Sequence, residues 1–426
     1  MKSRLIAVVC LAALWPLANA AQQPASTKAF TGARLVDGTD RAPVDNATIV
    51  VRDGKIVAAG PAARVTVPGG AERVSLAGKT VIPGLVNAHG HVGNTVGLEQ
   101  GKYSAENVQR DLKTYAAYGV TTVFSLGDDQ AAGIAARDSQ KTPSLNRARL
   151  YVAGPVLAPK SVEEAAKLVN EVAAMKVDIV KIRVDDNLGT TPKMAPEIYK
   201  AVIAEAHKKN LPVAVHLFYL SDAKAVLDAG ADFIAHSVRD TDVDDATVAM
   251  LKRRDVCYCP TLMREVSTFT YESKPAWFSD PLFLKHADQK TLETLQQPAR
   301  QEQMRTSKSA QAYKAGLQVA NRNLKKLSDS GVRIAMGTDT GPPARFQGYF
   351  ELMELEMMAK AGLSPQKVLA AATRDAARCM KLDREIGTIE ANKWADFVVL
   401  DADPLADISN VKKINAVYVA GNRVAE

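Results

Sequence analysis

Between Leu85 and Asp339 the chain repeats one rhythm, a short apolar run of strand length followed by a stretch of helical length. The runs are Leu85 to Ala88, Thr121 to Leu126, Arg149 to Ala153, Asp178 to Arg183, Pro212 to His216, Phe233 to His236, Val256 to Cys259 and Arg333 to Asp339. Helical stretches fall between them, among them Ala105 to Tyr118, Val162 to Met175 and Glu197 to Lys209. Nearly continuous apolar runs suit parallel strands buried on both faces. Eight strand–helix units in series most simply close into a (β/α)8 TIM barrel of α/β class. One interval is too long for the rhythm. An insertion at about 260–300, carrying Phe269, Tyr271, Trp277, Phe278 and Phe283, follows the seventh run, and one helix from Pro298 to Ser328 is expected to lead back to the eighth. An insertion at that end of a barrel is expected to form a lid or a pocket wall.

The two ends of the chain read differently. From Phe30 to Val81 short alternating segments such as Thr48 to Arg52 and Lys55 to Ala59 are separated by the turn signals Asp53-Gly54 and Pro68-Gly69-Gly70. That pattern predicts a small antiparallel β unit. Ala395 to Leu400 and Ala416 to Gly421 have the same texture. The expectation is one discontinuous β-sandwich domain from residues 21–84 and 385–426, with the barrel at 85–384 and residues 21–28 disordered. Ahead of it, Lys2 and Arg4 precede an apolar run from Leu5 to Leu17 that ends in Ala18-Asn19-Ala20. A basic start, a short apolar run and a small-residue site make residues 1–20 a signal peptide, cut after Ala20. The run is too short to span a bilayer, and Cys10 lacks a lipobox, so the mature protein is expected to be exported, free of the membrane, into a bacterial periplasm.

Composition excludes other classes. Formal charge is +7, or +5 once Lys2 and Arg4 leave with the leader, and the basic residues are scattered rather than striped. Nucleic acid is therefore not an expected partner. Cleavage leaves Cys257, Cys259 and Cys379. Cys257 and Cys259 alternate with Tyr258 on one strand and are expected to be buried small side chains rather than a metal or redox pair.

Chemistry concentrates at the strand ends. His89-Gly90-His91 closes the first run, and residues two apart in a strand point to the same side. Alone, that pair is equally a polar strand end. Of six histidines, however, four end predicted strands (His89, His91, His216 and His236), and Asp339 ends the eighth. Barrel strands converge at their C-terminal ends, so these five side chains should meet and bind metal. His207, beside Lys208 and Lys209, and His286, in the insertion, are expected to be structural or solvated. Lys181 interrupts the apolar fourth run, where an unpaired ammonium is costly. Either it pairs with Asp185 or another carboxylate, or its amine has become a carbamate by reaction with carbon dioxide and bridges two metals. The second reading is preferred.

Val81 to His91 (VIPGLVNAHGH), Gly337-Thr338-Asp339 and Gly387 to Asp396 (GTIEANKWAD) resemble the amidohydrolase superfamily of metal-dependent hydrolases, in its imidazolonepropionase-like and prolidase-like branch. The resemblance spans essentially the whole mature chain. It implies one metal on His89, His91 and Asp339, a second on His216 and His236, and carboxylated Lys181 bridging them. Two divalent ions are implied, zinc most commonly, although these nitrogen and oxygen donors also suit manganese or cobalt. A hydroxide shared by the ions would attack the carbonyl, with Asp339 as general base and then acid. The implied substrate is a small molecule, a dipeptide or N-acyl amino acid; lactams, esters and carbamates are the alternatives. A mononuclear deaminase would carry glutamate where Tyr219 stands, and a non-catalytic relative would lack ligands that this chain has. Arg183, Tyr219, Arg239 and Arg345 are candidate substrate-binding residues, since an arginine in a pocket grips a carboxylate bidentately. Tyr219 stands three residues past His216, where prolidase-like members place a tyrosine at two. Gly341 to Phe346 is expected to line the pocket, and a homo-oligomer is compatible with everything above.

Overall fold

The computed structural model describes residues 27–425, so the signal peptide read at 1–20 lies outside the described residues. Thr27 and Lys28, expected in a disordered N-terminus, are instead the first residues of a strand. Strands β1 (Thr27–Leu35), β2 (Val44–Arg52), β3 (Lys55–Pro61), β4 (Glu72–Ser75) and β5 (Thr80–Pro83) form from the N-terminal part. Asp53 and Gly54, both at positive φ, close the β2–β3 hairpin, the turn chemistry that matches strand twist. β1 pairs antiparallel with β2 but parallel with β4 and β5, so this part is mixed rather than purely antiparallel. The C-terminal strands β13 (Phe397–Leu400), β14 (Ile414–Val419) and β15 (Asn422–Arg423) join through β5, which pairs antiparallel with β13. All eight strands thus belong to one hydrogen-bonded sheet built from both ends of the chain. Phe30, Phe397 and Tyr418 pack on one another at its centre, with ring centroids 4.8–5.0 Å apart.

One residue separates that sheet from the next. β6 (Leu85–Gly90) starts directly after Gly84. A Cβ on Gly84 would lie 2.0 Å from Thr121 Oγ1, so only glycine lets the chain cross between the sheets here. β6 pairs in parallel with β7 (Val120–Ser125), and β7 with β8 (Arg149–Val152). A second parallel ladder joins β9 (Val180–Arg183), β10 (Val213–His216), β11 (Phe233–Ala235) and β12 (Cys257–Cys259). Parallel bridges connect the two: Leu157 to Ile182 on one side, Tyr258 to Ile334 and Gly90 to Thr340 on the other. Residues 334–340 therefore hold the eighth position by isolated bridges, and the arrangement is a (β/α)8 barrel.

Helices follow the strands, as the rhythm predicted. Ala105–Ala117 is capped by Ser104, whose side chain accepts from Asn107 N, and buries Val108, Leu112 and Tyr115 at helical spacing. Ser161 and Asp244 cap Val162–Ala174 and Asp245–Arg253 in the same way. The helix expected from Pro298 to Ser328 is two, Pro298–Thr306 and Lys308–Asp329, because Ser307 leaves helical geometry to cap the second through Ala310 N. Among the described residues, no helix is long and apolar enough to cross a membrane.

The cysteine expectation needs correcting. Cys257, read as a lone buried side chain, is bonded to Cys379 at the end of the helix Arg374–Cys379, 122 residues away. The spacing of two cysteines that far apart carried no sign of the pairing, which depends on the barrel bringing β12 beside the last helix. Cys259 is free and buried.

Candidate metal centre

His89 and His91 leave the end of β6 with Gly90 between them. A Cβ at Gly90 would press within 2.7 Å of the Tyr115 hydroxyl and 2.8 Å of Asn87 Nδ2, so the middle residue must be bare. Asp339 meets the pair from the eighth position: its Oδ1 lies 2.9 Å from His91 Nε2 and 3.4 Å from His89 Nε2. One donor atom from each of the three falls within 4.8 Å of the others, a grouping that could hold a divalent ion. His216 ends β10 and His236 follows β11. Ring centroids of His89 and His236 are 4.6 Å apart, and those of His216 and His236 are 4.3 Å apart. His236 and Asp339 both take positive φ, 86° and 58°, a conformation that costs non-glycine residues energy and clusters at functional sites. Lys181 projects from β9, is 3% exposed, and its Nζ makes no hydrogen bond.

Electrostatics favour the ligand forms. Burial lowers His89 and His236 well below the usual imidazole range, helped by the charges of Lys181 and His216 respectively. Burial also lowers His216 to about 3, against the opposing pull of Asp185. Neutral imidazoles are the metal-binding form. His91 is the exception: burial alone would lower it, but the hydrogen bond and charge of Asp339, the Gly127 carbonyl and the charge of Asp128 together outweigh burial and raise it. Burial alone would raise Asp339; the guanidinium of Arg345 and the imidazoles of His89 and His91 overcome it and hold the carboxylate ionised. Burial brings the Lys181 amine down to about 8.

A further shell fixes the rings. Asp185 Oδ2 lies 3.0 Å from His216 Nε2, Thr261 Oγ1 lies 2.7 Å from His236 Nδ1, and the Gly127 carbonyl lies 3.2 Å from His91 Nδ1. Such partners orient metal-binding imidazoles. The Asn87 side-chain oxygen Oδ1 accepts from His89 N at 3.0 Å. Its Nδ2 donates to Glu351, which also accepts from Thr338 and Thr340 on either side of Asp339.

The four candidate substrate residues part company. Arg183 donates to Asp185 and Asn187, and Tyr219 donates to Asp186, so both brace the loop after β9. Arg239 is fully buried, 3.1 Å from Glu265 and bonded to the carbonyls of Leu217 and Ser237. Arg345 alone reaches the cluster, donating to Asp339 Oδ2. His207 pairs with Asp232 away from the centre, and His286 packs edge-on to Tyr118. Sequence reasoning missed Arg264, which shares Glu265 with Arg239 and stands 4.0 Å from Asp339, and it missed Glu351. Neither lies in a periodic pattern that would have shown it. Asp185 was legible as a buried carboxylate two residues past Arg183, but its partners are Arg183 and His216 rather than Lys181.

Comparison with known proteins agrees with this geometry. The sequence profile of the Amidohydrolase family matches residues 80–424. An imidazolonepropionase of Methylobacterium sp. (strain 4-46) is 22% identical over 435 positions, which cover 89% of this chain and 94% of the relative. A Bifidobacterium longum structure provisionally described as a prolidase superposes with a TM-score of 0.75 at 26% identity, covering 94% of this chain and 95% of that one. A Xaa-Pro dipeptidase with methionine in its active site superposes at 0.76 and 20% identity over 94% of this chain and 100% of its own, a likeness of fold.

Proposed function

The chain belongs to the amidohydrolase family and is a metal-dependent hydrolase of C–N bonds, and from that premise we propose that it is an exported enzyme with two metal ions that cleaves a dipeptide or an N-acyl amino acid. The observation that carries the second metal is Lys181, whose buried Nζ makes no hydrogen bond although it shares the cup with His89, His236 and Asp339. As an ammonium it would be an unpaired buried charge, which costs several kcal/mol. As a carbamate it becomes an anionic oxygen donor. The neutral amine forms its N–C bond to carbon dioxide and releases one proton, and a pKa of about 8 makes that free amine accessible near neutral pH.

The His89, His91 and Asp339 group could hold one divalent ion, and the neighbouring imidazoles support the reading of a second. His89, His91 and Asp339 would hold one, His216 and His236 the other, with the Lys181 carbamate shared. Bound ions would supply Lewis acidity and a water of lowered pKa. The protein's own part centres on Asp339. Its carboxylate, kept ionised by Arg345 and the imidazoles, takes the proton of the attacking water and returns it to the nitrogen as the C–N bond breaks. Arg345 is the guanidinium beside that base, suited to a substrate carboxylate. A structure provisionally described as a prolidase and one described as a Xaa-Pro dipeptidase share the fold, which supports a peptide-like substrate. Export is supported by the signal-peptide-like sequence at 1–20 and by the Cys257–Cys379 disulfide, since such bonds persist in oxidising compartments.

The test is to express the full chain with its leader, then measure its N-terminus, its metal content and its turnover of dipeptides, N-acyl amino acids, lactams and aryl carbamates. A start at Ala21, two metal equivalents and turnover of the first two classes are expected. Less than one equivalent, with no gain on adding zinc, would remove the metal reading. Turnover confined to lactams or carbamates would remove the substrate assignment alone.

A further inference from the structure

Arg264 is a buried charge that its neighbours do not fully balance. It stands beside Glu265 on the short helix Leu262–Ser267 that follows β12, and the two are 7% and 0% exposed. Glu265 lies 3.1 Å from Arg239 on one side and 3.1 Å from Arg264 on the other, so two guanidiniums share one carboxylate. The next carboxylate, Asp339, is already bonded by Arg345 and His91. One buried positive charge is therefore in excess, a costly arrangement unless an anion joins it. The bonds of Arg264 show where that anion would sit. Nη1 donates to Glu265, and Nη2 donates to the Tyr313 hydroxyl at 3.1 Å. Nε is buried, makes no hydrogen bond and lies 4.0 Å from Asp339 Oδ2. Tyr313 comes from the helix Lys308–Asp329, and the guanidinium stands 4.1 Å from its ring centroid. Because that hydroxyl accepts from Arg264, its own proton is left to donate. Arg264 Nε–H and Tyr313 O–H are thus two donors on one guanidinium–phenol pair beside the base.

Reach decides which substrate group they take. Asp339 returns its proton to the nitrogen of the scissile bond, so that nitrogen must come within hydrogen-bond distance of the carboxylate. In an α-amino acid the carboxyl carbon is roughly 2.5 Å from that nitrogen, across one N–Cα–C angle. Arg264 Nε, 4.0 Å from Asp339 Oδ2, is close enough to meet it. Arg264 and Asp339 are each 7% exposed, so the guanidinium is no more enclosed than the base. Other arginines are less suited: Arg183 is bonded to Asp185 and Asn187, and Arg239 is 1% exposed. We infer that Arg264 and Tyr313 receive the α-carboxylate on the amine half of the substrate. The substrate class is then one with a free carboxylate two bonds from the scissile nitrogen. This rests on the amide-hydrolase reading for its turnover test but not for its binding test.

Matched compounds test it: a panel of N-acetyl-L-amino acids, their C-terminal amides, and the N-acetyl-β-amino acids in which one further methylene separates nitrogen from carboxylate. The wild type should prefer the α-acid to its amide by about a hundredfold in kcat/KM, and to the β-acid by about tenfold, the scale of hydrogen bonds to a charge. Tyr313→Phe keeps the ring and should cut the preference over the amide about tenfold, through KM. Arg264→Lys, which cannot present a planar fork, should remove most of that preference. General damage to the fold would lower both members of a pair and leave their ratio unchanged. Independently of turnover, the acids should raise the Tm of the metal-loaded protein where the amides do not, and Tyr313→Phe should lose most of that shift. Equal turnover of acids and amides, or an unchanged ratio in both variants, would overturn the inference and leave the amide reading standing. If no compound is hydrolysed but the acids alone raise Tm and Tyr313→Phe removes the shift, the amide reading fails and the carboxylate subsite stands. Neither hydrolysis nor an acid-specific shift would overturn both.

Discussion

Asn87 donates a hydrogen bond to the buried carboxylate of Glu351 across 2.6 Å, tying β6 to the helix Tyr349–Lys360 beneath the candidate metal centre. The same Glu351 oxygen accepts from Thr338 and Thr340, which flank Asp339, while Asn87 holds the backbone of His89. One carboxylate therefore sets the spacing between the two chain segments that carry His89 and Asp339. Glu351→Ala would remove the acceptor shared by Asn87 Nδ2, Thr338 and Thr340, which would keep only one another and Tyr115 as partners, at roughly 1–3 kcal/mol for each buried bond lost without replacement. The expected outcome is a stability loss of about 3 kcal/mol or more in denaturant unfolding, with weaker metal binding. Glu351→Gln keeps an acceptor and should recover most of both. Cobalt titration with visible absorption gives a readout apart from stability. Wild-type cobalt affinity and spectrum in Glu351→Ala would show that the clamp does not position the ligands.

Lys181 tests the second ion. Lys181→Ala should hold about one metal equivalent where the wild type holds two, and lose activity by about a hundredfold or more. Acetate or propionate should restore part of it by entering the space of the lost carbamate. Metal content measured by atomic absorption separates the two sites, and unchanged content and turnover would mean a single-metal enzyme.

Glu354 makes stability depend on pH. It is fully buried and accepts from Leu262 N and Met263 N at 2.8 and 2.7 Å. Burial pushes its carboxyl up from 4.5 to about 8. Between those values the folded state keeps a proton that the unfolded state has released, so stability falls as pH rises through the window. Thermal unfolding should show Tm declining over that range, with a shallower decline in Glu354→Gln. A parallel decline in both would assign the effect to other groups.

The Cys257–Cys379 bond closes a long loop across the barrel. Cys379→Ser should cost about 2–4 kcal/mol in denaturant unfolding. Mature protein unfolded without reductant should show one reactive thiol, that of Cys259, and three after reduction.

Much of the fold and of the site was legible in the sequence. Strand and helix alternation follows from the period of apolar residues, and the four strand-end histidines with Asp339 followed from counting where those runs stop. Gly84 and Gly90 were visible as residues; the reason for them was not, because it lies in Thr121, Tyr115 and Asn87, which approach only in the folded chain. The same holds for Glu351, Arg264 and Cys379. Their partners are remote in sequence, and no local period or motif encodes a contact across the barrel. Local physics decided which residues are strands, helices and turns, and so which side chains stand at the strand ends. Tertiary packing decided which of them meet. It drew Arg345 to Asp339, turned Arg183 and Tyr219 to loop carboxylates, and buried Lys181 without a hydrogen bond among imidazoles.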